Sequence, residues 1–322
     1  MKYACIWLGL FFLQILASEY WIKRLNRWRV VQVQKSYGLK SHIETKSTTP
    51  SMGGVVFIAV GLAGIPAAFF LADGGSLRAA LFLLLPLGAA GIGFADDWIK
   101  FSRRSSEGFP SLYKLYAQIG LTLPWSAWVA FGEGVSLCPG LEIHPVIAVP
   151  LLFLFAIGMM NAVNVTDGLD GLAAGASLVS FAGVLLWIRP DGAAMSLALA
   201  GSAMCAGFLW HNAHPAQVFM GDVGSHFLAG LLVALCVHCD FLIALFPLGF
   251  LFGLEIVSVA IQIVAIRKFN RKVFKMSPVH HHFELSGWSE TRIVIRFWII
   301  HAVGVALGAV LVQQTLVLGV WK

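Results

Sequence analysis

Five aspartates stand in short polar segments between long apolar runs of this 322-residue chain: Asp96, Asp97, Asp167, Asp170 and Asp222. Carboxylate oxygens are the ligands that Mg²⁺ and other hard cations prefer. Carboxylates that share a site repel one another unless a cation or a proton lies between them. Acids grouped on one side of an apolar protein therefore predict a site for a divalent cation, a phosphate or both.

The adjacent pair Asp96 and Asp97 lies in GFADDWIK, where we predict the end of the third apolar helix. A helix C-terminus is already electronegative, so two carboxylates there are unfavourable without a cation. Lys100 is three or four residues away and within helical reach of either acid. Taken alone, this dipeptide fits a metal site and a solvated, Lys-paired helix end equally well.

The segment NAVNVTDGLDGLA spaces Asn161, Asn164, Asp167 and Asp170 three residues apart. Steps of three drift around a helix, so these side chains cannot share one narrow face. Gly168 indicates that the helix ends here and that the backbone approaches another group closely. Such a set suits a nucleotide, a phosphate or a hard cation, and the alternative is an ordinary polar helix end.

Two further segments carry weaker signals. Glycines flank Asp222 in VFMGDVGS, which is typical of an acid in a turn, and Phe219 could stack on a planar base or simply pack. His280, His281 and His282 are consecutive, so their rings point in different directions. We therefore expect one or two donors to phosphate or sugar rather than a three-histidine metal site.

The segment KSTTPSMGG precedes the second apolar run and contains Lys46 and Ser51. A lysine, hydroxyls and two glycines can bind phosphate. A helix entry capped by Thr or Ser explains the same residues, and for this segment alone we favour that interpretation.

Composition predicts the elements that must position these residues. The chain is 58% hydrophobic and 12% charged, whereas soluble domains carry about 25% charged residues. Long unbroken apolar runs favour membrane helices over a β-barrel. We predict an all-α polytopic membrane protein, a single domain over residues 1–322, with about ten transmembrane helices near 4–20, 52–72, 79–95, 112–131, 146–162, 172–188, 194–211, 224–238, 240–266 and 293–318. The ninth contains Pro247 and Gly249 and should be bent or interrupted.

Most of the 22 Lys and Arg residues fall in the loops after the first, third and ninth of these segments. The positive-inside rule then places both termini in the periplasm and the five aspartates at the cytoplasmic face. The net charge of +6 reflects these loops, so we predict no nucleic-acid partner. Cys236 and Cys239 have CxxC spacing without a second pair, and we interpret the five cysteines as structural.

The blocks TTPSMGG, DDWIK, NAVNVTDGLDGLA, VFMGDVGS and MSPVHHHFELSGWSETRIVIRFW resemble, in this order, the polyprenyl-phosphate N-acetylhexosamine-1-phosphate transferases, specifically the phospho-N-acetylmuramoyl-pentapeptide transferase family. The resemblance implies ten spans in the bacterial inner membrane and a cytoplasmic active site. It implies Mg²⁺-dependent transfer from UDP-MurNAc-pentapeptide to undecaprenyl phosphate, giving lipid I and UMP for peptidoglycan synthesis. It also suggests a homodimer.

The resemblance also implies roles for individual residues. Asp222 resembles the magnesium ligand, and Asp96 and Asp97 resemble the catalytic acids, with Lys100 near the diphosphate. The positions that resemble substrate-binding residues are Lys46, Ser51, Asn161, Asn164, Asp167, Gly168, Leu169, Asp170, Asn212, Phe219, Gln262, His280, His281 and His282. The chain departs from the family pattern at Thr48, where Gly is usual, and at His226, where an aliphatic residue is usual.

Two alternatives stay open at this point. A sister enzyme would transfer GlcNAc-1-phosphate to the same lipid, although the HHHFELSGWSE block argues against it. An ion-coupled transporter would also place carboxylates in a membrane protein, but it should hold them near the midplane and show internal symmetry. For the enzyme, direct attack by the lipid phosphate competes with a two-step route through an aspartyl-phosphate.

Overall fold

The computed structural model describes residues 1–30, 48–62, 81–190 and 192–317, and the described chain is mostly helical. Its helices, numbered here in chain order, are α1 Lys2–Trp28, α2 55–62, α3 Leu84–Arg103, α4 Ser111–Trp128, α5 Pro145–Thr166, α6 Leu172–Gly183, α7 Gly192–Asn212, α8 Gly221–His238, α9 Leu245–Leu248, α10 Phe250–Phe269, α11 Val279–Glu284 and α12 Glu290–Val317. A small antiparallel hairpin pairs β1 Ser136–Cys138 with β2 Leu141–Glu142.

Six of the described helices are long and apolar enough to cross a membrane, namely α1, α5, α7, α8, α10 and the part of α12 up to Gln314. Most of α7 and α8 is buried inside the protein, whereas α10 and α12 turn much of their apolar surface outwards. These helices confirm the predicted helical membrane class. The predicted second and third spans fall partly in 63–80, outside the described residues, so the number of ten spans stays a prediction.

Helix α8 lies at the centre of the packed helices, against α3, α5 and α7. Its side chains from Val223 to Val237 are buried. Glycines allow its first turn to approach other backbones closely, because a methyl group on Gly93 of α3 would overlap the Asp222 carbonyl and one on Gly54 would overlap Gly224. The start of α8 is therefore fixed directly against α3.

The ninth predicted span is interrupted, as its Pro and Gly indicated. A short helix, α9, ends at Leu248, and α10 begins at Phe250. Two buried side chains bind the polar groups at this break: the Leu251 N–H donates to His301 Nδ1 over 3.3 Å, and the Ser180 hydroxyl donates to the Leu248 carbonyl over 2.6 Å. His301 Nε2 lies 2.9 Å from the same hydroxyl, so we assign the ring proton to Nε2.

We expect His301→Leu to destabilise the protein without touching the acidic residues. The substitution leaves the buried Leu251 N–H and the Ser180 hydroxyl each short of a partner, which costs about 2 kcal/mol. Thermal unfolding of the purified protein in detergent, followed by circular dichroism, measures this as a lower midpoint. A midpoint equal to that of the wild-type protein would show that the break needs no such support.

Candidate active site

Three aspartates converge where α3 meets the start of α8. Asp96 and Asp97 lie on α3, Asp222 lies in the first turn of α8, and one carboxylate oxygen from each falls within 4.8 Å of the others. Asp96 and Asp97 are only 3% and 5% exposed. Charged groups this deeply buried require a counter-charge, so the cluster depends on cations.

The predicted position of Asp96 and Asp97 at a helix C-terminus was wrong. Helix α3 continues to Arg103, so the pair precedes its last turn. Lys100 and Arg103 lie in that last turn, where positive side chains favour the carbonyl end of a helix. The acids are held together by burial against α8, and the helix dipole is not the reason that they need a cation.

Two lysines neutralise most of this negative charge. Lys100 Nζ lies 2.6 Å from Asp96 Oδ2 and 3.0 Å from Asp222 Oδ2. Lys114 Nζ, from α4, lies 2.5 Å from the same Asp222 oxygen. Lys114 was absent from the predicted site residues, although an isolated lysine in the apolar segment SLYKLYAQIGLTL was the available signal.

Neighbouring groups fix the orientation of each carboxylate. Asn164 donates to Asp222 Oδ1 over 2.8 Å, the Val223 N–H donates to Asp97 Oδ2 over 3.1 Å, and the Phe109 N–H donates to Asp96 Oδ1 over 2.7 Å. Since these donors come from separate elements, the three carboxylates are preorganised. Asn164 thus lies at the cluster.

Burial and neighbouring charges act differently on the pKa values of Asp97 and Lys100. Asp97 and Lys100 lie beyond residue 95, where the predicted third span ends. Burial, reinforced by the charge of Asp222, raises the pKa of Asp97 to about 7, against the opposing effect of Lys100. Burial alone would lower the pKa of Lys100, but Asp222, Asp97 and Asp96 together raise it. Lys100 is therefore a fixed positive charge, and Asp97 holds a proton more readily than an exposed aspartate does.

The segment NAVNVTDGLDGLA leaves its helix where the glycines predicted. Helix α5 ends at Thr166, and Asp167 follows as its C-cap residue. Asn161 does not reach the three aspartates: its side chain donates to Gln118 Oε1 over 3.0 Å, and the other end of that amide lies 3.2 Å from His226 Nε2. His226 is therefore part of a buried polar chain beside the site.

Asp170 belongs to a second group of titratable side chains. Its Oδ2 accepts the Ala216 N–H over 3.1 Å and lies 2.9 Å from His214 Nδ1, and its own N–H donates to Glu290 Oε1 over 2.6 Å. Sequence reasoning missed His214 and Glu290, because these contacts join positions 44 and 120 residues away from Asp170.

Asn212 joins the Asp170 segment to the loop that precedes Asp222. Its Oδ1 accepts the Gly171 N–H over 3.1 Å, and its Nδ2 donates to the Val218 carbonyl over 2.9 Å. Asn212 is 2% exposed. The structure therefore gives this predicted substrate-binding residue a role in holding two loops together.

The TTPSMGG and VFMGDVGS segments pair side by side. The Gly53 and Gly54 N–H groups donate to the carbonyls of Phe219 and Met220, and the Phe219 N–H donates to the Pro50 carbonyl, each over 2.8 Å. The backbone of Ser51 donates to the Val30 carbonyl over 3.1 Å. Ser51 and Phe219 thus lie in one patch next to Asp222, whereas Lys46 lies outside the described residues.

The three consecutive histidines have three different partners. His280 Nδ1 is 3.2 Å from Glu255 Oε1, His281 Nδ1 is 2.6 Å from Glu284 Oε2, and His282 Nδ1 accepts the Lys275 N–H over 3.1 Å. The rings diverge as predicted. Among the described residues, none of the three histidines belongs to a group of three or more side chains that could hold a metal ion.

Gln262 stabilises the loop that leads to these histidines. Its Oε1 accepts the N–H groups of Val273 and Phe274 over 3.1 and 2.9 Å, and its Nε2 donates to the Phe274 carbonyl over 3.0 Å. Its side-chain amide is thus bonded at both ends to the 270–276 loop. Leu169 is buried in the apolar cluster that also contains Ile293 of α12.

The cluster of Asp96, Asp97 and Asp222 has the donor chemistry of a magnesium site. Three carboxylates present one oxygen each within 4.8 Å, and Mg²⁺ favours hard oxygen ligands from one or two carboxylates together with phosphate and water. Lys100 and Lys114 stand beside them as donors for phosphate oxygens. The arrangement can therefore bind a divalent cation and anionic phosphate groups together.

Comparisons with known proteins identify relatives over nearly the whole chain. Residues 79–240 match glycosyl transferase family 4. The chain is similar to the phospho-N-acetylmuramoyl-pentapeptide-transferase of Pelotomaculum thermopropionicum, with 40% identity over 91% of this chain and 93% of the relative. The enzymes of the same name from Mycobacterium leprae and Rubrobacter xylanophilus are 39% and 35% identical, each over 92% of this chain and 93% of the relative.

Proposed function

Because the chain belongs to the phospho-N-acetylmuramoyl-pentapeptide-transferase family, within glycosyl transferase family 4, we propose that it transfers phospho-MurNAc-pentapeptide from UDP-MurNAc-pentapeptide to undecaprenyl phosphate. The products are lipid I and UMP. The observation that carries the proposal is the convergence of Asp96, Asp97 and Asp222 with Lys100 and Lys114.

The residues present fit a divalent cation, which we propose to be Mg²⁺, with Asp222 as a ligand and Asp96 and Asp97 beside it. When bound there, the cation supplies positive charge to the donor diphosphate. Asn164 supports this assignment, because it holds Asp222 Oδ1 over 2.8 Å and so fixes the direction of the carboxylate.

The acceptor itself indicates what the protein side chains must do. A phosphate monoester has a second pKa near 6, so it is already a nucleophile at neutral pH and needs no strong base. The obstacle is repulsion between two anionic substrates. Lys100 and Lys114 reduce that repulsion, and Asp96 orients the lipid phosphate or removes its residual proton. We therefore propose direct attack by the lipid phosphate on the donor.

The residues around the three aspartates are proposed to contact the nucleotide donor. Asp170, with Gly168 and Leu169, is proposed to bind the uridine, and Phe219 to stack on its base. Asn161, Asp167, Asn212, Ser51, Lys46, Gln262, His280, His281 and His282 are proposed to line or support the donor groove. In this set Asn161, Asn212 and Gln262 act through the loops and side chains that they hold.

The membrane setting is part of the proposal. We propose ten spans in one domain over residues 1–322, both termini in the periplasm, and the site at the cytoplasmic face of the bacterial inner membrane. The one-sided distribution of Lys and Arg supports this orientation. A homodimer is proposed as the assembly, and no nucleic acid is expected as a partner.

A donor comparison with and without metal tests the function. Purified protein in detergent receives undecaprenyl phosphate and either UDP-MurNAc-pentapeptide or UDP-GlcNAc, and both UMP and the lipid product are measured. We expect product from the first donor only, and none in the presence of EDTA. Product from UDP-GlcNAc alone would assign the sister reaction, and solute flux in liposomes without lipid product would assign a transporter.

The same reagents distinguish the two chemical routes. Direct attack predicts that enzyme and donor alone release no stoichiometric UMP. A burst of one UMP per enzyme, with a phospho-sugar trapped on an aspartate, would overturn direct attack and establish the covalent route.

A further inference from the structure

Glu255 is a buried acid that the proposed chemistry does not use. It lies on α10, which is long and apolar enough to cross a membrane, and it is fully buried. Helix α10 turns Glu255, Ser258 and Gln262 towards the protein, while its exposed face is formed by residues such as Leu254 and Val257. A carboxylate at such a depth is costly unless a defined partner satisfies it.

That partner is His280 of α11. Its Nδ1 lies 3.2 Å from Glu255 Oε1, and both side chains are completely buried. The contact joins two charged-type groups at ion-pair distance without the geometry of a hydrogen bond, and among the described residues these nitrogens and oxygens have no hydrogen-bond partner. A carboxylate beside Nδ1 keeps a proton on that nitrogen and fixes the plane of the ring. The orientation of His280 therefore depends on Glu255.

The opposite edge of the same ring supports the turn after α5. A methyl group on Gly168 would overlap His280 Nε2, and its three nearest neighbours would all be atoms of that imidazole. Gly168 stands between Asp167 and Asp170, in the segment proposed to meet the nucleotide. A change in the ring would therefore move that turn directly, even though His280 itself has no exposed surface.

We propose that Glu255 and His280 are a positioning pair, in which the buried carboxylate fixes the imidazole that supports the Gly168 turn and so sets the affinity for the nucleotide of the donor. The inference rests on the proposed function. It assigns Glu255 a role in donor binding only. Binding of the lipid phosphate and the contacts of the three aspartates do not depend on the pair.

Steady-state kinetics with each substrate varied in turn tests the pair. We expect Glu255→Leu to raise the KM for UDP-MurNAc-pentapeptide by about tenfold or more, the range typical of groups that orient a binding residue. The KM for undecaprenyl phosphate should stay unchanged. Glu255→Gln should recover most of the loss, because its amide oxygen can occupy the same place beside His280 Nδ1. The matched control is Ser258→Ala, one turn along the same face, with both KM values unchanged.

A second variant tests the contact between His280 and Gly168, and it can be used even if Glu255→Leu fails to fold. Gly168→Ala should raise the donor KM, because its methyl group meets the His280 ring. In a His280→Ala background, which removes the ring, the added methyl should cost much less. The positioning pair would be overturned if each substitution raised the donor KM by its own factor and the two factors multiplied in the double variant. Equal changes in the KM for the donor and the KM for undecaprenyl phosphate would overturn it too.

Stabilisation by UDP separates this inference from the proposed function. UDP should raise the unfolding temperature of the wild-type protein and of Ser258→Ala, and at the same concentration it should raise that of Glu255→Leu or Gly168→Ala by much less. If the wild-type protein makes no lipid product yet shows this pattern, the proposed function fails and the pair stands. Equal stabilisation of all four proteins, or none of the wild type, overturns the pair.

Discussion

Asp222→Asn is expected to abolish transfer, with kcat reduced by about a thousandfold or more. The substitution keeps the size of the side chain but removes the charge that faces Lys100 and Lys114. Loss of a metal contact worth several kcal/mol produces an effect of this size, since each 1.36 kcal/mol is tenfold in rate. The measurement is UMP release from UDP-MurNAc-pentapeptide in the presence of undecaprenyl phosphate.

A matched control is available just after the same helix. Asp240 lies just beyond the other end of α8 and is exposed, with a positive φ that an asparagine also tolerates. Asp240→Asn should therefore retain wild-type activity. If Asp222→Asn kept more than about a tenth of the wild-type rate, Asp222 could not be a required metal ligand.

Lys114→Met is expected to lower kcat by about a hundredfold, the range seen when one fixed stabilising group is removed from an active site. The ammonium group lies 2.5 Å from Asp222 Oδ2 and only 16% of its side chain is exposed, so water cannot replace its charge. Methionine keeps the apolar stem of the side chain and removes only the charge. The same UMP assay measures the effect.

Lys23→Met provides the comparison for this lysine. Lys23 pairs with Glu19 one turn away on an exposed surface, where an ion pair contributes little. We expect near-normal activity from it. Similar rates for Lys23→Met and Lys114→Met would show that Lys114 is only a surface charge and would remove it from the site.

The local features of the fold were predictable, because they depend on short stretches of sequence. Long apolar runs gave the helical membrane class, and the glycines after Thr166 marked the end of α5. Pro247 and Gly249 marked the interruption before α10. In each case the determining residues lie within a few positions of the feature, so composition and spacing were sufficient.

The composition of the active site was only partly predictable, because much of it depends on contacts between distant residues. Lys114 reaches Asp222 across 108 positions, and Glu290 reaches Asp170 across 120. No spacing rule connects such pairs before the helices are packed. Conversely, the sequence pattern placed Asp96 and Asp97 at a helix end only because their charge interrupted the apolar run, whereas α3 continues to Arg103.

The most direct test of the three-aspartate site is to count the Mn²⁺ ions that the purified protein binds. Electron paramagnetic resonance detects Mn²⁺, which serves as the probe of the divalent site. If Asp96, Asp97 and Asp222 surround one cation, the wild-type chain will bind one Mn²⁺ tightly and Asp222→Asn will lose it, while Asp240→Asn keeps it. Equal binding by all three proteins, or no tight ion in the wild type, would contradict the site described above.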